Sequence, residues 1–162
     1  MSSAATHETT IDAPADLPTI TIVREFDAPV EKLYRAWTDP DLVVRWIGPR
    51  NNETRIDHWD MRTGGSWRYV ALRDGKEVAG FYGSFHEVRP NERIVQTFTF
   101  EGFPDGVSLE TLTFDTLPGG RSRATIISVV DSLASRDAIL SSGMDVGVRE
   151  GYDRLDSLLS TM

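Results

Sequence analysis

The chain has 162 residues, of which 40% are hydrophobic and 26% charged, with a formal net charge of -8 from 25 acidic against 17 basic side chains. That suits one globular domain with a real core, and without any run of Lys or Arg it argues against nucleic acid or an anionic membrane as partner. There is no Cys, so disulfides, thiolate catalysis and cysteine-based metal sites are excluded, and no apolar stretch approaches the length of a membrane-spanning helix.

Residues 1–17 are Ser, Thr, Ala, Asp and Pro with little apolar content. They read as a flexible tail, leaving 18–162 as a single domain. The segment lacks the basic start and apolar core of a secretory signal, so a cytoplasmic location is expected. Thr19–Phe26 reads as a strand with Ile20, Ile22 and Arg24 on one face and Thr21 and Val23 on the other. Asp27-Ala28-Pro29 ends it and opens a helix, since Pro fits the first helical turn. Val30, Leu33, Tyr34 and Trp37 follow at helical spacing. Thr38-Asp39-Pro40 breaks that helix and starts a second short one carrying Leu42, Val43 and Trp46, which Gly48-Pro49 stops.

A meander of strands and turn signals comes next. Strands are expected at 54–59, 66–72, 77–88, 93–100, 107–116 and 121–130. Turns fall at Thr63-Gly64-Gly65, Asp74-Gly75, Arg89-Pro90-Asn91 and Pro118-Gly119-Gly120. Gly80 and Gly83 inside a strand suggest a bulge or strong curvature.

From Ser135 to Met162 the pattern changes to a helix. Leu140, Met144, Val148, Tyr152, Leu155, Leu159 and Met162 form one apolar stripe. Ser135 is the expected N-cap, and Asp145–Arg149 and Glu150–Arg154 are spaced for favourable ion pairs. Gly143, Gly147 and Gly151 form a track beside the stripe. Each mid-helix Gly costs about 1 kcal/mol against Ala, so close approach to the backbone is implied. The track is either tight packing on a strand or the smooth wall of a cavity. A helix break near Ser142-Gly143 is a further reading. The order strand, two short helices, about six antiparallel strands and a long helix gives an α+β fold. In it a curved antiparallel sheet wraps around the C-terminal helix, the only long partner for its concave face.

Four segments in order carry a family resemblance. Phe26-Asp27-Ala28-Pro29-Val30-Glu31-Lys32-Leu33-Tyr34-Arg35-Ala36-Trp37-Thr38-Asp39-Pro40 resembles the opening of the START-like (SRPBCC) superfamily. Trp46-Ile47-Gly48-Pro49 follows, and Asp60-Met61-Arg62-Thr63-Gly64-Gly65-Ser66-Trp67 resembles the family's acid–Arg–Gly-Gly–aromatic strand junction. Gly143-Met144-Asp145-Val146-Gly147 with Tyr152-Asp153-Arg154-Leu155 resembles its C-terminal helix. Together they are similar to the branch named for homology to the activator of the 90-kDa heat-shock ATPase, over roughly Ile20 to Leu159. The resemblance implies a helix-grip fold with a hydrophobic cavity between the last helix and the sheet. It also implies relatives that are lipid and hormone carriers, polyketide cyclases or co-chaperone domains, so fold alone does not fix function.

The aromatics are the first candidates for chemistry. Trp46, Trp59, Trp67, Tyr69, Tyr82, Phe98, Phe100 and Phe114 are spread over the sheet and the helix before it. They are either core or the lining of a site for a flat or apolar ligand, with Tyr hydroxyls and Gln96 as orienting groups. Alternation does not fix the concave face, because both strand faces carry apolar residues.

His58 and His86 lie in expected strands and His7 in the tail. His58 shares a face with Asp60, whereas His86 and Glu87 face opposite sides. Two isolated His without Cys make no zinc pattern, and no metal or cofactor is expected. No nucleophile elbow or phosphate loop occurs. Asp60 and Arg62 read as a surface ion pair at the turn, with a ligand carboxylate as the alternative partner of Arg62. Glu110, if it faces inward, has a raised pKa and becomes a catalytic candidate.

The leading expectation is a binding module for a small hydrophobic or amphipathic molecule. Its wall is expected from Trp46, His58, Trp67, Tyr69, Tyr82, Phe98, Phe100, Met144 and Val148, the thioether of Met144 adapting to varied shapes. The rivals are a cyclase- or hydrolase-like enzyme using His58, His86, Glu110 or Tyr82, and a co-chaperone-like interaction domain. A symmetric dimer is the default oligomer by base rate.

Overall fold

The computed structural model describes residues 7–162. Two strands open the chain, β1 (Thr10–Asp12) and β2 (Thr19–Phe26), followed by helices α1 (Val30–Thr38) and α2 (Pro40–Val43). The meander is β3 (Glu53–Trp59), β4 (Ser66–Arg73), β5 (Lys76–Arg89), β6 (Arg93–Phe100), β7 (Ser108–Leu117) and β8 (Arg121–Val129). Helices α3 (Leu133–Ser141) and α4 (Met144–Leu159) end it. The strands form one 8-stranded sheet in the order β1-β2-β8-β7-β6-β5-β4-β3, antiparallel throughout.

Local chemistry explains the breaks. Asp39 caps α2 by accepting the Asp41 N–H at 3.0 Å, with Pro40 in the first turn. Asp74 and Gly75 both take positive φ, as the tight β4–β5 turn requires. Two Trp indoles then lock the α1–α2 corner. Trp46 Nε1 donates to the Ala36 carbonyl at 2.9 Å, and Trp59 Nε1 donates to that of Thr38 at 2.8 Å.

The segment read as a flexible tail carries structure in its described part, while residues 1–6 lie outside the described residues. Thr10–Asp12 pairs with the β2 edge. Arg136 of α3 donates to the carbonyls of Pro14 and Leu17, and Arg149 of α4 donates to that of Thr9. His7 reaches Asp27 at 2.8 Å. Polar composition concealed this, because the ties are made to backbone by distant arginines.

The C-terminal helix is interrupted at Ser142-Gly143, where Gly143 has φ +85 and N-caps α4. Its first part starts earlier than expected: Ser132, not Ser135, is the cap of α3, accepting the Ser135 N–H at 3.0 Å. The two expected i,i+4 ion pairs are replaced by longer-range contacts. Arg149 turns to Thr9, and Glu150 accepts the Arg50 N–H at 3.1 Å.

Within the glycine track, Gly147 and Gly151 face the loop after α2 rather than a strand, and Gly143 faces open space. A Cβ on Gly151 would stand 3.0 Å from the Trp46 carbonyl oxygen and 3.4 Å from the Gly48 nitrogen. One on Gly147 would stand 3.4 Å from Pro49 Cδ. The track lets α4 settle on the turn after α2. Gly83 has a similar purpose, since a Cβ there would lie 2.8 Å from Trp67 Cζ2. The register shifts of the sheet fall elsewhere, at Ile56/His58, Ala71/Leu72 and Phe85/Glu87.

The core lies between the concave face and the helices. β2 alternates strictly, burying Ile20, Ile22, Arg24 and Phe26. α4 buries Gly151, Tyr152, Leu155, Leu158 and Leu159, all in its later turns. Met144 and Val148, nearer its start, are only half-buried. α3 follows directly from β8, and the first turns of α4 lie against Pro49 and Arg50 just before β3. α3 and the start of α4 therefore cross the sheet end at which β6 finishes and β7 begins.

Candidate functional site

Strand register decides which side chains share the concave face. Trp67 pairs with Gly83 and Tyr69 with Phe81, while Phe81 also pairs with Phe100. Adjacent partners project to the same side. Trp67, Tyr69, Phe81, Phe98 and Phe100 therefore form one aromatic row across β4, β5 and β6. Trp67 stacks on Tyr69 with ring centroids 5.4 Å apart. Phe81 lies 5.1 Å from Tyr69 and 5.5 Å from each of Phe98 and Phe100. Exposure climbs along the row from 4% at Trp67 through 9% at Tyr69 to 44% at Phe100. The row thus runs from the core to the sheet end crossed by α3.

The same register brings three polar side chains together. Gln96 pairs with Glu110, and Glu110 pairs with Ser128, across β6, β7 and β8. Gln96 Nε2 donates to Glu110 Oε1 at 2.9 Å, and Ser128 Oγ donates to Oε2 at 3.1 Å. Burial pushes the Glu110 carboxyl above its ordinary value of 4.5, and these two donors pull the other way without cancelling it. Tyr69 and Tyr152 lie within reach of its charge. Burial raises both phenols, and Glu110 raises them further. Both are therefore neutral hydroxyls near pH 7. Trp67 Nε1 is buried and has no hydrogen-bond partner.

The expected wall residues divide by face. Trp67, Tyr69, Phe98 and Phe100 meet on the concave row, and Met144 and Val148 sit on the early turns of α4 among the half-buried apolar residues around the core. Trp46 is 3% exposed and packs on Trp37 at 4.8 Å, a structural place rather than a lining one. Tyr82 pairs with Arg68 on the convex face and is 41% exposed. His58 also pairs with Arg68, after the Ile56/His58 shift, and bonds Ser66 at 2.9 Å, not Asp60. His86 is exposed. Of the four groups expected to serve an enzyme, only Glu110 faces inward.

The convex face carries a charge network instead: Arg55 bridges Asp57 and Glu77, both at 2.7 Å, and Arg68 bridges Asp57 at 2.5 Å and Glu101 at 2.8 Å. Arg62 pairs with Asp60 at 3.0 Å, the surface ion pair expected at the turn.

Three inward residues were not among the expected site: Ser128, Tyr152 and Phe81. Ser128 becomes visible only once β7 and β8 are set in register, because nothing on its own strand distinguishes it. Arg24 is a buried cation, held by Asp153 at 3.4 Å and Asp156 at 3.6 Å and lying over the Phe26 ring. Two surface depressions flank β1, lined by residues such as His7, Glu8 and Thr10, and neither lies at the aromatic row. Among the described residues no group of three acidic or His side chains could hold a metal, and no helix is long and apolar enough to cross a membrane.

Solved structures with this architecture are numerous. A protein of Rhodobacter sphaeroides superposes with a TM-score of 0.87 at 24% identity, covering 96% of this chain and 100% of its own. One of Arthrobacter aurescens gives 0.84 at 28%, covering 94% and 92%. One of Mycobacterium smegmatis gives 0.83 at 27%, covering 94% and 97%. No curated protein matches the chain. The model of the family "Activator of Hsp90 ATPase homolog 1-like protein" matches residues 27–160. Its span takes in α1, the whole meander and α4, and the chain belongs to this branch of the START-like superfamily.

Proposed function

We propose that the protein binds a small hydrophobic or amphipathic molecule between its last two helices and the concave face of the sheet. One observation carries the reading: an aromatic row, graded from buried Trp67 to exposed Phe100, leads inward beside a set of polar groups that the core does not need. A core built only for stability would fill such positions with apolar side chains, since buried polar groups cost free energy unless fully bonded. Apolar walls with a few oriented polar groups are the usual makeup of a small-molecule site. The half-buried state of Met144 and Val148 on the early turns of α4 supports an entry between α4 and the sheet.

The test is Met144→Trp. The larger side chain fills the entry, so uptake of a fluorescent apolar probe such as 1-anilinonaphthalene-8-sulfonate should fall at least about tenfold, by analogy with steric exclusion from a pocket. Unchanged probe affinity, with the fold intact by circular dichroism, would show that this helix face does not line the site. Native mass spectrometry of protein from its own host asks the same question without a chosen probe.

A catalytic use of the interior rests on Glu110 alone, since His58, His86 and Tyr82 face outward. Under that reading Glu110→Gln removes turnover and leaves binding in place. Stimulation of a chaperone ATPase by a protein whose interior takes no probe would carry the interaction reading instead.

A further inference from the structure

The firmest hold on α3 is a buried cation. Among the described residues, Arg136 is the one fully buried side chain that α3 contributes, at 6% exposed. Its guanidinium donates to the carbonyls of Pro14 and Leu17, the latter at 2.7 Å, and to the Asp137 carboxylate at 2.9 Å. The apolar side chains of α3 do less: Leu133 is 41% exposed, and Ile139 and Leu140 are half-buried. On the early turns of α4, Arg149 donates to the Thr9 carbonyl. Both helices thus grip the backbone of residues 7–17. That segment is anchored in turn on its other side. Thr10, Ile11 and Asp12 pair with Val23, Ile22 and Thr21 of β2, and His7 reaches Asp27 at 2.8 Å. Just past the segment, the Pro18 carbonyl accepts the Val130 N–H at 3.0 Å, at the point where β8 leads into α3.

We propose that residues 7–17 form a strap that holds α3 and early α4 across the end of the sheet, and that strap and α3 release together. The coupling comes from Arg136. A buried guanidinium is tolerated only while its N–H groups have acceptors. If the Pro14 and Leu17 carbonyls withdraw, the charge must move into water, and α3 moves with it. Arg149 is exposed and rehydrates where it stands, so it adds hold without coupling. The strap is the weaker partner. β1 is a three-residue strand at the sheet edge, and the strap packs Ile11 and Ala13, both half-buried, against the core. Such segments open at lower free energy than core strands. The sheet end that α3 crosses is also where Phe100 is 44% exposed. On the interior-binding reading above, the same release admits the ligand, which makes the strap a gate.

The chain has no Cys, so one engineered disulfide can lock the strap. Thr10 and Val23 are direct cross-strand partners, within disulfide reach. In full-length Thr10→Cys/Val23→Cys, the α3 amides should exchange at least about threefold more slowly oxidised than reduced, with the opposite edge strand β3 unchanged. Arg136→Leu tests the coupling from the other side, because an apolar side chain needs no acceptor. It should speed exchange of residues 9–13 at least about threefold, and it should abolish the effect of the disulfide on α3, since coupling is reciprocal. Arg136→Gln replaces it where the leucine variant does not fold. Access is read by stopped flow with 1-anilinonaphthalene-8-sulfonate. Oxidation should slow its association and its dissociation alike, each at least about tenfold, as a gate does. Equal α3 exchange in the two redox forms, or residues 9–13 unmoved by loss of Arg136, overturns the strap. Slowed α3 exchange with an unchanged association rate keeps the strap and overturns its control of access. Probe uptake by neither form overturns the interior-binding reading, and the exchange measurements still decide the strap.

Discussion

At the scale of single residues, Glu110 is the informative side chain. Its carboxyl titrates above its ordinary value in the folded protein because burial disfavours the charged form. The groups around it are Gln96, Ser128 and the neutral phenols of Tyr69 and Tyr152, while the buried cation Arg24 is held by Asp153 and Asp156 on α4. Below the ordinary value of 4.5 both folded and unfolded chains hold the proton, and Glu110 adds no penalty. As pH rises past it, the unfolded chain releases its proton first, so this residue's contribution to stability falls until the folded carboxyl also ionises. Glu110→Gln has no such titration. Its melting temperature, measured against wild type between about pH 4 and 8, should gain on wild type through this window and then level off. A difference that stays flat with pH would mean the carboxyl is as well solvated folded as unfolded.

At the scale of elements, the glycine track separates two effects that a sequence cannot. Gly147 and Gly151 look equivalent on a helical wheel, and both should gain about 1 kcal/mol of helix propensity on replacement by Ala. Their surroundings differ. The methyl group of Gly147→Ala makes an ordinary contact with Pro49 Cδ at 3.4 Å, whereas that of Gly151→Ala presses on the Trp46 carbonyl oxygen at 3.0 Å and the Gly48 backbone. Gly147→Ala should therefore stabilise by up to about 1 kcal/mol, and Gly151→Ala should destabilise, by about 1–2 kcal/mol net, in urea unfolding. Equal shifts for the two would place α4 farther from the α2 turn than the structure does.

The same pair marks the limit of the sequence as a guide to elements. Strands and their turns are legible because Asp74-Gly75 or Pro118-Gly119-Gly120 acts locally. That a glycine track exists is legible too. What it packs against is not, since Trp46 and Gly151 are joined only by the tertiary fold. Strand faces divide in the same way. β2 alternates cleanly, so Ile20, Ile22 and Arg24 are correctly grouped on one face. On β5 both faces carry aromatics, and only register tells inward Phe81 from outward Tyr82.

For the whole molecule, the gradient of burial along α4 is the property that links fold to function. Leu155, Leu158 and Leu159 are buried against the sheet, and Arg24 ties the same part of the helix through Asp153 and Asp156. The opposite end is held differently. Gly143 interrupts the helix, Met144 and Val148 keep part of their surface, and the polar ties of α3 and early α4 run from Arg136 and Arg149 to backbone of the N-terminal segment and from Glu150 to the Arg50 N–H. Apolar burial stabilises the far end by roughly 25 cal/mol per Å², a term the near end largely lacks. Local opening should therefore start there, since regions with few buried apolar contacts open at lower free energy. Hydrogen exchange should find the amides of Leu155 to Leu159 among the slowest in the helices, with α3 and the first two turns of α4 exchanging sooner. Saturation with 1-anilinonaphthalene-8-sulfonate should then slow α3 and early α4 while leaving the later turns unchanged, because a ligand lodged at the aromatic row supplies the contacts that end is missing. Slowing spread evenly over the sheet and both helices would point to general stabilisation, and slowing confined to the β1–β2 edge would move the binding site to the depressions beside His7 and Thr10.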